Sequence, residues 1–170
     1  GKVRSFMGNF GVLVRAYTYM SELGGDGLRQ ASRIAVLNAN YLWAKLRKEF
    51  HVPFDRPCMH EAVFTDAGLE AYDVSTMDIA KRLIDYGFHP PTVYFPLVVR
   101  HAMMIEPTET EPLEHLDQLV DALLAIKAEA ETNGEILRSA PHVSVRRRLD
   151  EVRAAKRPDL RWSFDDADEA

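Results

Sequence analysis

The segment His89-Pro90-Pro91-Thr92-Val93-Tyr94-Phe95-Pro96 limits what this chain can fold into more than any other. Proline fixes φ, removes an amide donor and drives the residue before it out of the helical region. Thr92 to Phe95, bounded by prolines on both sides, therefore reads as a short, rigid, extended strand. A second apolar run, Ala102 to Ile105, breaks off into Glu106-Pro107-Thr108-Glu109-Thr110-Glu111, a loop rich in Glu and Thr with no helix to need them. Only Leu97 to His101 joins the two runs. They are expected to pair antiparallel, so that the start of one lies beside the end of the other. Such a loop reads as a working edge rather than a linker.

Upstream, Val12, Leu13, Ala16, Tyr19, Met20 and Leu23 recur at three and four, which predicts a helix with one broad buried face. Phe6, Phe10, Val14 and Tyr17 lie off that stripe and are expected to be exposed. Gly24-Gly25-Asp26-Gly27 breaks the pattern. Asp26 then reads as the cap of a second helix reaching about Phe50, with Leu28, Ala31, Ala35, Leu42 and Leu46 inward, so the two form a hairpin. Asn38 and Asn40 are weak helix formers inside it; one is expected to face solvent and the other to bond a neighbouring element. After Pro53 and Pro57, Met59 to Thr65 alternates as a strand. Ser75 caps a helix from Thr76 to Tyr86, with Asp78 completing a capping box, Ile79, Ala80, Leu83 and Ile84 inward, and Gly87 as terminator. Pro112 opens a long helix to about Glu131 on Leu116, Leu119, Val120, Leu123 and Ile126, closed by Asn133-Gly134. Short helical pieces are expected at Glu135 to Arg138 and Val145 to Ala155, then an acidic tail.

This order predicts a two-layer α/β (α+β) unit, a small and mostly antiparallel sheet of about three strands with helices on one face. The domain reading is a connecting helical hairpin over 1–50, a small α/β domain over 51–162 and an acidic tail over 163–170. The chain begins on Gly1 rather than Met and is expected to be a piece of a longer polypeptide.

A net charge of −5 argues against a nucleic-acid surface, since phosphate binding needs a concentrated basic face. Arg146-Arg147-Arg148 is the nearest approach and reads as a solvated helix start. The single Cys58 excludes an internal disulfide and a cysteine metal cluster. No apolar run approaches a membrane span and no signal peptide opens the chain, so a soluble, intracellular protein without a membrane partner is expected.

Chemistry is sparse. Gly24 to Gly27 lacks the preceding strand and spacing of a dinucleotide loop. His60-Glu61 has no second histidine at helical spacing, and a metal held by His60, His89 and Glu106 is a minor alternative, so no metal is expected. Cys58 reads as an inert, half-buried thiol. Six lysines are scattered, none in a loop that would desolvate an amine for imine chemistry. No catalytic residue is assigned. The remaining candidates for a cleft are Arg56, His60, Glu61, His89, Thr92, Glu106 and Thr108, all at strand ends or adjoining loops.

Along nearly its whole length the chain resembles the C-terminal domain of glycine dehydrogenase (decarboxylating), the P-protein of the glycine cleavage system, and especially its subunit 2 form. The matching runs are GKVRSFMGNFGVLVRAYTY at 1–19, AVLNANY at 35–41, CMHE at 58–61, DIAKRLIDYGFHPPTVYFP at 78–96, MIEPTETE at 104–111, RLDEV at 148–152 and LRW at 160–162. Met7, where an aromatic is common, and the tail after Trp162 depart from the pattern. The resemblance implies the small domain of a fold-type I enzyme that uses pyridoxal phosphate, with the cofactor lysine in a large domain before Gly1. It also implies decarboxylation of glycine and transfer of the aminomethyl group to the lipoyl arm of the H-protein. The implied partners are that large domain or subunit 1, the H-protein and glycine, in an oligomer of the bacterial cytoplasm, or of the mitochondrial matrix in a eukaryote. A stand-alone helical binding or scaffold module, without catalysis, is the alternative of a different class; a small metal hydrolase is a third.

Overall fold

The computed structural model describes residues 6–161. The first five residues of the opening motif, Trp162 of the closing motif and the acidic tail lie outside the described residues. The elements are α1 (Phe10–Leu46), β1 (Ala62–Thr65), a 3-10 turn (Glu70–Tyr72), α2 (Thr76–Asp85), β2 (Thr92–Val93), β3 (Ala102–Ile105), α3 (Leu113–Asn133), α4 (Glu135–Arg138) and α5 (Glu151–Lys156). Among the described residues no helix is long and apolar enough to cross a membrane.

The sheet has the order β1-β3-β2, antiparallel throughout, with Ala62 opposite Ile105 and Thr92 opposite Met104. The expected pairing of the two proline-bounded runs is therefore present, although β2 ends at Val93. β1 begins at Ala62, so His60 and Glu61 precede the strand instead of lying on it. Ala62 and Phe64 of β1, with Met103 and Ile105 of β3, share a face and join one buried cluster with Ile79 and Leu83 of α2 and Leu116, Leu123 and Ile126 of α3. Leu42, Leu46 and Phe50 belong to the same cluster, and the Phe50 ring meets Phe64 edge-on at 6.5 Å between centroids. The end of the expected connecting hairpin is thus built into the core of the small domain.

Local chemistry sets the helix ends. Ser75 Oγ accepts from Asp78 N at 3.3 Å while Asp78 Oδ2 accepts from Ser75 N at 2.8 Å, the expected capping box. At the other end of α2, Gly87 takes φ 84°, its N–H donates to Ile84 O, and Phe88 N–H donates to Leu83 O, which closes the helix with a glycine in the left-handed region.

Four expectations are corrected. The hairpin turn shrinks to one residue: Gly24, at φ 60° and ψ −174°, is non-helical, whereas Gly25, Asp26 and Gly27 lie in helix. Asp26 is not a cap; its carboxylate pairs with Arg29 at 3.0 Å on the surface. The chain nonetheless bends sharply at Gly24. Tyr19 and Asn38 both reach the 108–111 loop, and a straight helix would hold them about 28 Å apart. The stripe expected to be buried on residues 12–23 is not covered, since Val12, Leu13, Tyr19 and Met20 are exposed, as are Phe6, Phe10, Val14 and Tyr17. Periodicity finds an apolar face but not what it faces. Last, residues 145–150 are not helical, and Arg148 is no solvated helix start. Its guanidinium bonds Asp78 of the capping box, Leu137 O at 3.1 Å and Ala140 O at 2.9 Å, tying the C-terminal stretch to α2.

Candidate functional site

Because β3 is central, Glu106 emerges from the sheet between two flanks. Continuing the β2 register brings His89 and Pro90 beside Glu106 and Pro107; continuing the β1 register brings Glu61 beside Glu106. On the β2 flank a cavity of about 560 Å³ opens between the end of α2, the 87–92 segment, the 104–108 segment and the start of α3. His89, Thr92, Glu106 and Thr108 all line it, joined by Tyr86, Glu111 and His115, over a floor that includes Leu83, Met104 and Leu119. The four residues grouped from the sequence thus share one cavity.

The other three candidates lie elsewhere. Arg56 and Glu61 line a smaller cavity of about 340 Å³ with Trp43, Cys58 and Val63. His60 Nε2 is 3.3 Å from Glu61 Oε1, and ligand-capable atoms of His60, Glu61 and Glu106 lie within 4.8 Å of one another. The combination of His60, His89 and Glu106 weighed for a metal is not assembled: Glu61 stands where His89 was placed. His60 and Glu106 are exposed, and proximity alone assigns no ion. Burial pushes the Cys58 thiol up, away from the reactive thiolate.

Sequence reasoning missed the groups that hold the acidic loop. Asn38 Nδ2 donates to Thr108 O at 2.9 Å and Glu111 O at 3.3 Å. Asn40 Nδ2 donates to Cys58 O at 2.7 Å, and Asn40 Oδ1 accepts from Cys58 N at 3.0 Å. Neither asparagine is given to solvent; each pins a loop beside one cavity. Two polar residues of low helix propensity inside an otherwise apolar helical run were the visible signal. Tyr19 Oη donates to Glu109 Oε1 at 2.7 Å, and this bond holds the Glu109 carboxyl below its usual range and raises the Tyr19 hydroxyl. His115 Nδ1 lies 3.2 Å from Glu111 Oε2, an i,i+4 pair that the spacing offered.

A second polar network fixes the 94–101 loop at the far end of the sheet. Buried Asp66 accepts from Thr76 N at 2.9 Å and faces His101 Nδ1 at 3.1 Å, while Thr76 Oγ1 donates to His101 O at 2.7 Å. Both Tyr94 (φ 59°) and His101 (φ 56°) adopt left-handed backbone there, which side chains tolerate only when the surroundings over-determine it.

The chain matches the family model "Glycine dehydrogenase, C-terminal domain" over residues 31–142. That match covers more than half of the chain, and this chain belongs to the family. Proteins named "Probable glycine dehydrogenase (decarboxylating) subunit 2" are similar to it. The one from Caldanaerobacter subterraneus subsp. tengcongensis is 55% identical over 163 residues, covering 96% of this chain and 34% of the relative. Those from Listeria monocytogenes (serotype 4a, strain HCC23) and Desulforamulus reducens are 53% and 52% identical, each over 95% of this chain and 33% and 34% of their own lengths. The chain therefore spans about a third of the relatives it matches.

The cavity does not by itself fit pyridoxal phosphate. Its lining has no lysine to form an imine and no lysine or arginine to meet a phosphate, and two carboxylates, Glu106 and Glu111, belong to it.

Proposed function

We propose that this chain forms one wall of a pyridoxal phosphate-dependent glycine decarboxylase of subunit 2 type. The lysine and phosphate site would be supplied by a large domain or by subunit 1. The observation that carries the reading is the convergence of His89, Thr92, Glu106 and Thr108 on one cavity, in a chain of the glycine dehydrogenase family. Bound elsewhere in the assembly, the cofactor would supply the electron sink that lets glycine lose its carboxylate as CO2. The remaining aminomethyl group would pass to one sulfur of the oxidised lipoyl disulfide of the H-protein, whose S–S bond would break as the other sulfur takes up a proton and becomes a thiol.

The part of this chain is to enclose and orient. The floor is apolar, while Glu106 and His89 offer a carboxylate acceptor and an imidazole to a small amine or to the arm that receives it. The assembly would be an oligomer of the bacterial cytoplasm, or of the mitochondrial matrix in a eukaryote. Within it we assign residues 1–50 as a connecting segment whose end is built into the core of the small domain, 51–162 as the rest of that domain and 163–170 as a tail.

The test is Glu106→Ala and Thr108→Ala in the complete enzyme. Both residues are exposed, so each should change stability by no more than about 0.5 kcal/mol, while glycine-dependent CO2 release or exchange falls. Wild-type turnover in both variants would remove this edge from the site.

A further inference from the structure

Residues 10–23 of α1 carry apolar side chains that the described residues leave uncovered. Phe10, Val12, Leu13, Tyr17, Tyr19 and Met20 are between 45% and 79% exposed. At about 100° per residue, the apolar positions run from Tyr19 through Met20, Leu13 and Tyr17 to Phe10 and Val14, an arc of about 220°. Thr18, Gly11, Glu22 and Arg15 share the remainder. A helix apolar over more than half its circumference needs neighbours on more than one side, and a continuous exposed patch of this kind marks a contact. A second copy crossing on a twofold axis would cover one stripe of about 100°, less than half the arc. A groove is needed, and a long polypeptide must build it. The relatives hold about two thirds of their length outside the 34% that this chain matches.

We propose that the helix over 10–23 is seated in an apolar groove built by the remaining two thirds of a subunit 2 polypeptide, and that this seating fixes the acidic loop. The link is the hydroxyl of Tyr19, which lies on the edge of the apolar arc and bonds Glu109 at 2.7 Å. Whatever positions the helix positions the loop that bears Glu106 and Thr108. The docking does not depend on the glycine chemistry; only its consequence for catalysis rests on that reading.

The test uses the complete gene product, with the photo-crosslinker benzoylphenylalanine in place of Phe10 or of Tyr17, an aromatic for an aromatic. Cross-links to segments of the same polypeptide outside residues 1–170 are expected, with slowed amide exchange over 10–23. Cross-links to residues 10–23 of a second copy, cross-links to a different polypeptide, or no cross-links with free exchange would each overturn the proposal. Tyr19→Phe separates its two halves. The Tyr17 cross-link should persist while a glutamate-specific protease cuts Glu109–Thr110 faster; an unchanged rate would overturn the control of the loop. No readout here is turnover, so failure of the docking is distinguishable from failure of the proposed activity.

Discussion

Replacing Asn38 tests whether α1 holds the acidic loop. The side chain is 8% exposed and donates to two backbone carbonyls, Thr108 O at 2.9 Å and Glu111 O at 3.3 Å. A neutral hydrogen bond contributes about 1 kcal/mol net, and the longer one less. Thr108 lies on an exposed loop, so water can replace part of what is lost. Asn38→Ala should therefore cost about 1–2 kcal/mol. Asn38→Asp is nearly isosteric but sets an acceptor-only carboxylate against two carbonyl oxygens, which should cost about 3 kcal/mol or more. Urea titration followed by circular dichroism reads this directly; with a slope of about 2 kcal/mol per molar, the Ala variant should lose about 0.5–1 M in midpoint. A local readout accompanies it. Glu106 and Glu111 precede prolines, which leaves Glu109–Thr110 as the loop's single glutamyl bond open to a glutamate-specific protease. Cleavage there should accelerate in both variants. An Asn38→Ala protein within about 0.5 kcal/mol of wild type and cut at the wild-type rate would refute the reasoning.

Gly24 and Gly25 should respond oppositely to alanine. At Gly24 no atom would meet the added Cβ, but the backbone conformation is one reserved for glycine, so straightening of α1 and loss of the Tyr19–Glu109 bond are expected, whereas helical Gly25→Ala should stabilise by up to about 1 kcal/mol; amide exchange and thermal melting separate the two. Asp85 supports the turn after α4. Burial alone would raise its carboxyl, but the N–H groups of Val143 and His142 and the Arg82 guanidinium outweigh that and lower it, and Arg82 likewise lowers Glu129. Depressed carboxyls contribute fully above the unfolded value of about 4 and lose that contribution as pH falls through the lower folded values. Asp85→Ala should cost about 3–5 kcal/mol at neutral pH, and Asp85→Asn should flatten the loss of stability below pH ~4; an acid profile identical to wild type would contradict the assignment. Arg148→Ala should destabilise by about 1–3 kcal/mol, while exposed Arg146→Ala and Arg147→Ala should stay within about 0.5 kcal/mol, all read by chemical denaturation.

The sheet was readable because its rules are local. Prolines at 90, 91 and 96 and the short Leu97 to His101 link leave one simple antiparallel pairing, which is present at Thr92–Val93 against Met103–Met104. The capping box at Ser75 and the glycine stop at Gly87 are local in the same sense. What could not be read depends on partners distant in sequence. Arg148 finds Asp78 seventy residues away, and Asp66, Thr76 and His101 are brought together only by the fold. The first helix shows the other limit. Its period correctly predicted a helix, but its apolar residues outnumber any single face, and the stripe that looked inward has nothing among the described residues to bury it.

Asn38 and Asn40 explain how one helix sets both sides of the candidate site. Two residues apart on a helix are about 200° apart around its axis, so their amides point to opposite sides. One holds the loop after β3, the other the loop before β1, and β1 and β3 are neighbours in the sheet. Glu106 emerges between them, sharing the larger cavity with His89 and lying within reach of His60 and Glu61. Its carboxylate therefore stands between the two loops that α1 holds. The bend at Gly24 extends that coupling further, since it returns Tyr19 to the same loop from the uncovered half of the helix. The path from that half to Glu106 runs through Glu109 and two loop residues, Thr108 and Pro107, none of which belongs to the buried cluster.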